Sequence, residues 1–429
     1  MQNTSLKRLF TSFILVSSVL ALPYSNDLQK DDSEESEQYQ SPEAEIDARC
    51  YKDYTLKDAG DLWAVADCAT VGGSLFLKNY QDNFVDFGAI KAITGSIWVE
   101  NSSQLMSIRG DNLANVDGSI YFSRLTSLKS ISLPKLDSVD NIELKVLPLL
   151  SELNFPTKMK RLSSLVISDT SLVELTGFVI DKLRILNLNN NRFMEKITSP
   201  VKEITEQLLI SANSKDTKVS LSSLAWANNV TMRDIGTIDL GNLQVVESSA
   251  EFIENTFTSL KLPKLKNTGG TLSIIENVNL KEVEFPSMTD VAGGLMIEDN
   301  PQITRLNFFP SLSSIGGAIK FSGNFVETNL DKLKVVKGSA SLETASDFDC
   351  SQWISNGVGQ VVRGGKIECS SGQGEAQTTL VSDKDGVLTR TNNSKSVRGR
   401  EMNVASSSLS GLSLELVALA ITACLLRNF

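Results

Sequence analysis

The chain has 429 residues, 41% hydrophobic and 21% charged, which is enough apolar content for a packed core and too much for a mainly disordered polypeptide. It contains no histidine, which excludes Ser-His-Asp and Cys-His catalysis, His-ligated zinc and an imidazole pH switch. The formal charge is −10, from 41 basic and 51 acidic side chains; with no basic stripe in the sequence, no nucleic-acid partner is expected.

At the N-terminus Lys7 and Arg8 precede an apolar run from Leu9 to Leu22, with small residues at Val19 and Ala21. The run is too short to span a bilayer comfortably and reads as a secretory signal over residues 1–21. Residues 22–47 hold nine acids, Asp27, Asp31, Asp32, Glu34, Glu35, Glu37, Glu43, Glu45 and Asp47, against a single Lys30. Such a segment cannot bury apolar area and is expected to be a disordered, solvated spacer.

A secreted chain reads its cysteines as disulfides. Cys50 and Cys68 lie close together before the repetitive region, and Cys350 and Cys369 after it. Local pairing, Cys50–Cys68 and Cys350–Cys369, is the simplest of three connectivities, each loop contributing on the order of 3 kcal/mol. Metal binding is disfavoured because the spacings do not match paired CxxC ligands. Trp63 and Trp353 sit beside the two pairs and are expected to plug the ends of the core.

Between the pairs runs a repeat. Short apolar segments align at Leu75, Ile97, Ile120, Ile142, Leu165, Leu186, Leu208, Val230, Ala250, Leu272, Leu295, Ile319 and Ala340, thirteen strands with a mean period of about 22 residues, in the range of solenoid repeats. Glycines precede many of them (Gly72-Gly73, Gly95, Gly118, Gly269-Gly270, Gly293-Gly294, Gly316-Gly317 and Gly338), where positive φ is expected at tight corners. Asn191, Asn213, Asn255, Asn277, Asn300 and Asn324 follow at a fixed offset and are expected to form a buried hydrogen-bonded ladder. A second strand in each repeat ends near proline, as at Leu133-Pro134 and Phe285-Pro286. Two strands and no room for a long helix predict an all-β parallel solenoid over residues 48–370, with the cysteine pairs capping its ends. Leu183, Leu186, Leu188, Asn191 and Phe193 fit the leucine-rich pattern, but the convex side reads as strand, which favours a closed triangular coil over a horseshoe.

Two residues past four successive strands come Asp234, Glu254, Glu276 and Asp299. Stacked acids repel unless something neutralises them. The column reads as an exposed corner screened by salt, as a calcium site, or as a carboxylate pair for glycoside chemistry. Asn101, Asn229 and Asn392 stand in N-x-Ser/Thr sequons and are candidate N-glycosylation sites.

Residues 371–403 are rich in Ser, Thr, Gly and Asn and read as a flexible, glycosylated stalk. Residues 404–429 bring small side chains, a short polar spacer and an apolar tail, the pattern of a GPI-attachment propeptide, with attachment at Asn403 or Ser406.

The repeat resembles the receptor L domain and, more closely, a fungal family of GPI-anchored cell-wall organisation glycoproteins that includes sporulation-specific members. The stretches that carry the resemblance are Val291-Ala292-Gly293-Gly294-Leu295-Met296-Ile297, Ile315-Gly316-Gly317-Ala318-Ile319 and Leu224-Ala225-Trp226-Ala227-Asn228-Asn229-Val230. The resemblance implies a right-handed coil related to leucine-rich repeats. It also implies a role in cell-wall or spore-wall organisation, no catalysis, and no cofactor or metal. The partners it implies are wall polysaccharide or wall protein, and the lipid membrane through the anchor. A carbohydrate-active enzyme using the acidic column is the alternative.

Overall fold

The computed structural model describes residues 47–175, 177–372, 378–382 and 388–392. The signal segment 1–21, all but the last residue of the acidic spacer 22–47, and the anchor candidates Asn403 and Ser406 lie outside the described residues.

The molecule is a β-solenoid of about thirteen turns. Successive turns pair in parallel: Leu75 lies beside Ile97, Ile97 beside Ile120, Ile274 beside Ile297, and Phe321 beside Leu342. Alternation along each strand decides which side chains turn inward. In Leu75–Lys78 and Ile97–Glu100 the first and third residues are buried and the others point out. Each turn thus contributes two buried apolar residues from this strand alone, each worth roughly 1.5–3 kcal/mol of transfer free energy.

The sequence shows two strands per turn; the structure has three segments. A short segment, such as Val245–Val246, and the main strand, here Ala250–Ile253, belong to the same large sheet. In the middle turns they fuse into one long strand, as in Ser138–Leu147, Lys182–Asn189 and Glu203–Ser211, with the register shifting at the former corner. The third segments form a separate face that breaks into four short sheets. Proline stands where expected, just past third segments such as Ser130–Ser132 and Glu282–Glu284.

The corners differ from expectation in an instructive way. None of the glycines named above, from Gly72 to Gly338, has positive φ. Their role is close approach: a Cβ on Gly293 would lie 2.5 Å from the carbonyl carbon of Gly270, and one on Gly317 would lie 2.7 Å from that of Gly293. The left-handed corner comes instead directly after the main strand and is held by residues with side chains, among them Asn79, Asn101, Arg124, Ala212, Glu254 and Asp299.

Immediately after that corner runs the asparagine ladder. Asn255 donates to Oδ1 of Asn277 and Asn277 to Oδ1 of Asn300, through both the backbone N–H and the side-chain amide, at 2.9–3.1 Å. Their amides also reach back to Met232 O and Phe252 O. A second run joins Thr170, Asn191 and Asn213. Ile235 interrupts the two runs, its N–H alone donating to Asn255 Oδ1. Asn324 stays outside the ladder: the residue before it is Gly323 with φ 158°, where Asp299 has 53°, and its amide donates to Pro301 O at an exposed position.

Both local disulfides form, Cys50–Cys68 and Cys350–Cys369. At one end helix α1 (Ala59–Ala66), capped by Asp58, buries Leu62 and Val65 over the first turn. Trp63 does not plug the core; it sits on the opposite side of that helix and is 74% exposed. At the other end α2 (Cys350–Ser355) buries Cys350, Trp353 and Ile354, so Trp353 does fill the expected place. Ile367–Ser371 then continues the parallel sheet beside Ala340–Thr344. Within the range read as a stalk, Thr378–Ser382 and Leu388–Asn392 add two antiparallel strands.

Candidate binding surface

The four acids of the column occupy the left-handed corner on successive turns: Asp234, Glu254, Glu276 and Asp299 have φ of 57°, 54°, 57° and 53°. This conformation crowds Cβ against the following carbonyl for every residue but glycine, and Asn and Asp tolerate it better than Glu. The corner directs the side chains outward: Glu254, Glu276 and Asp299 are exposed and Asp234 is half-buried.

Three of the four have partners. Asp234 Oδ2 accepts the Ala212 N–H at 3.2 Å, Glu254 pairs with Arg233 at 2.5 Å, and Asp299 Oδ1 accepts from the Ser322 hydroxyl at 3.3 Å. Among the described residues no three acids come together closely enough to hold a metal ion. The column lies on the corner that follows the main strand, and none of its members lines any of four surface cavities. The arrangement is that of solvated carboxylates, individually neutralised or screened.

The cavities gather elsewhere. Two of about 380 Å³ lie on the third face where its sheet breaks, one between Thr237–Asp239 and Phe257–Lys261, the other between Glu282–Glu284 and Arg305. In the two-stranded sheet between these breaks Lys261 bridges Glu282 and Glu284, both at 2.9 Å. Its ammonium holds the Glu282 carboxyl below the ordinary carboxylate range, first through the hydrogen bond and then through charge. A groove of about 630 Å³ is lined by Lys158, Arg161, Asp181, Lys182 and Arg184. Its basic rim is offset by carboxylates: Lys182 pairs with Glu203 at 2.8 Å and Arg184 with Glu206 at 2.6 Å.

The sequons differ in setting. Asn101 sits at a left-handed corner, half-buried, with its side chain at the margin of the main sheet. Asn229 lies within Trp226–Arg233, and its Oδ1 is buried without a hydrogen-bond partner. Asn392 ends the strand Leu388–Asn392. In the leucine-rich stretch Leu183, Leu186, Leu188 and Asn191 are buried, while Phe193 is exposed and Met194 takes the core position.

Register reveals a feature that the linear sequence conceals. Phe76, Trp98 and Tyr121 are Cα partners across three successive turns on the outer surface of the main sheet. Each belongs to an aligned strand, yet the period alone does not say that all three point outward. Beside them runs a hydroxyl ladder: Ser74 Oγ accepts from Ser96 N–H at 3.1 Å, and Ser96 Oγ from Ser119 N–H at 3.0 Å.

Comparison with known proteins places this solenoid. The chain is 37% identical over 368 residues to sporulation-specific protein 2 of Saccharomyces cerevisiae, covering 83% of this chain and 73% of that protein. It is 38% identical to sporulation-specific protein 22 of the same yeast, with 81% and 75% covered. It belongs to this fungal family of sporulation-specific and cell-wall glycoproteins. The family extends to the cell wall mannoprotein PST1 of S. cerevisiae, 34% identical over 75% of this chain and 72% of that protein. It also includes the cell surface GPI-anchored protein ECM33 of Candida albicans, 29% identical over 69% and 72%. No protein-family model and no solved structure matches the chain.

Proposed function

We propose that the chain is a non-enzymatic surface glycoprotein of the fungal cell wall or spore wall. It enters the secretory pathway through residues 1–21 and is held outside the cell by a GPI anchor at Asn403 or Ser406. There it organises the wall by binding polysaccharide or wall protein through its solenoid face. The relatives named as wall mannoproteins and GPI-anchored surface proteins support the location. The observation that carries the binding role is the long parallel sheet, whose outward columns stay in register from turn to turn. A rigid surface of this kind binds an extended ligand without first being ordered. The acids are spread along an outward corner and line none of those four cavities, which supports binding over catalysis.

Treatment of intact cells with a phosphatidylinositol-specific phospholipase, in parallel with a wall glucanase, tests the anchor. Release by either enzyme is the expected result, and retention in a membrane pellet after both counts against it. Incubation of the purified protein with wall glucans, chitosan and mannan tests the non-enzymatic role. Turnover that disappears in Glu276→Gln would overturn it.

A further inference from the structure

The outer surface of the main sheet is mostly polar and charged. Along the column that runs through Phe76, the strand before it carries Thr55 and the later turns carry Glu143, Val166, Asn187, Leu209, Thr231 and Glu251. Three successive turns depart from this with Phe76, Trp98 and Tyr121 in register. Phe76 is 36% exposed, and Trp98 and Tyr121 are half-buried, while Leu75, Leu77, Ile97, Val99, Ile120 and Phe122 beneath them are fully buried. The core in these turns is therefore complete without the three rings. The Trp98 and Tyr121 ring centroids are 4.5 Å apart with planes tilted by 44°, so the two rings lean against each other and form one compact aromatic patch. At a strand spacing of about 4.8 Å the stripe is roughly 10 Å long between its outer rings.

Its borders are polar on every side. Ser74, Ser96 and Ser119 flank it in register on one side, and Lys78, Glu100 and Ser123 on the other. The Ser74 and Ser96 oxygens each accept a backbone N–H, and their own O–H groups have no protein acceptor among the described residues. Past Tyr121 the column closes with Glu143, paired to Lys145 at 2.5 Å.

An apolar strip one side chain wide is too narrow for the interior of a protein–protein interface, which needs on the order of 1,000 Å² with a dry centre. It matches a ligand whose own surface alternates at the same scale. A pyranose ring presents an apolar C–H face to an aromatic ring and hydroxyls at its edge to flanking donors and acceptors, the usual division of labour in a small-ligand site. Lys78 and Glu100 carry opposite charges and the stripe carries none, which suits a neutral chain.

We propose that Phe76, Trp98 and Tyr121 form an aromatic platform that packs against the apolar C–H faces of a neutral, linear polysaccharide. The strand direction sets the ligand direction: the chain runs across the strands, along the solenoid axis, with its hydroxyl edges toward the serine column and the Lys78–Glu100 side. This assignment rests on the reading that the solenoid face binds wall polysaccharide, and it names the place on that face.

The test uses the full-length chain with its N-glycans removed enzymatically, because the Asn101 sequon stands three residues from Trp98. It is titrated with β-1,3-glucan oligosaccharides, chitin oligosaccharides and mannan, reading heat and tryptophan fluorescence. At least one sugar is expected to bind saturably. Trp98→Leu and Tyr121→Leu are each expected to weaken binding about tenfold, as loss of an aromatic contact implies, while Trp98→Phe retains most of the affinity and every variant keeps the β-sheet circular dichroism of the folded chain. Leucine keeps the apolar bulk and loses the ring face, so the contrast with phenylalanine isolates stacking. If a sugar binds and Phe76→Leu, Trp98→Leu and Tyr121→Leu all bind as the wild type does, the platform is refuted and the polysaccharide reading survives. If no sugar in the panel binds, both fall.

Discussion

At the scale of single residues, the solenoid places unlike demands on the two corners of each turn. Before the main strand, the backbone of one turn presses against that of the next, and the 2.5 Å clearance at Gly293 leaves no space for a methyl group. After the main strand, the chain turns through the left-handed region with a residue that has a side chain, as at Glu276 with φ 57°. Gly293→Ala is therefore expected to destabilise markedly, by about 2 kcal/mol or more, because rigid backbone must move. Glu276→Asn is expected to stabilise by up to about 1 kcal/mol, because Asn tolerates this conformation better. Thermal unfolding of the two variants should show shifts of opposite sign. A loss in Glu276→Asn comparable to that in Gly293→Ala would mean that the carboxylate has a structural partner after all. The glycines were legible in the sequence as a column, but their purpose was not, because spacing cannot separate a need for positive φ from a need for closeness. The asparagines were legible in both respects: a buried amide at a fixed offset has few ways to satisfy itself except through its equivalent one turn away. Asn324 escaped the rule because the corner before it is a glycine with a different φ.

At the scale of elements, the two caps do the work that neighbouring turns do elsewhere. Each is a short helix tied down by a disulfide, with Leu62 and Val65 covering one end and Trp353 and Ile354 the other. The cysteines announced these caps through their spacing. The tryptophans announced them only half correctly: a tryptophan beside a cysteine marks the region, but helical phase decides whether it faces in. In α1, Leu62 and Val65 are three apart and share the inner face, which leaves Trp63 outside. Replacing Cys350 and Cys369 together by Ala is expected to lower the stability of the C-terminal cap by about 3 kcal/mol, the loop-closure value for a ring of this length. The loss should be local. Hydrogen exchange should speed up in Ala340–Thr344 and Ile367–Ser371, while Leu186–Leu188 and Leu208–Ile210 keep their protection, since a turn feels chiefly its neighbours. Uniform loss of protection along the whole chain would contradict this picture of local coupling.

At the scale of the whole molecule, the architecture makes length a nearly free variable, provided that it changes by whole turns. The Cα register runs Ala250, Leu272, Leu295, Ile319. Removing residues 272–294 would bring Leu295 into the place of Leu272 beside Ala250. It would also set Asn300 where Asn277 had received the Asn255 hydrogen bonds. Thr271 would then lead directly into Leu295, and the glycine column would pass from Gly270 to Gly317. The core, asparagine and glycine columns thus keep their chemical type across the join. Removing only residues 272–282 would instead break each column at once: the odd half-turn sends core positions to the surface and leaves a gap in the asparagine ladder, and a slipped register inverts the faces of every strand that it touches. The whole-turn deletion is expected to express, fold and show the β-sheet circular dichroism of a slightly shorter solenoid. Its stability should fall only by the one turn lost, because a stacked array approximates a sum of nearest-neighbour terms. The half-turn deletion should aggregate or be degraded. Equal failure of both would show that contacts beyond adjacent turns hold the coil together. Because the deleted turn lies far along the chain from Phe76, Trp98 and Tyr121, the folded whole-turn variant should also retain sugar binding, with shortening of the coil and function at the platform read out separately on one protein.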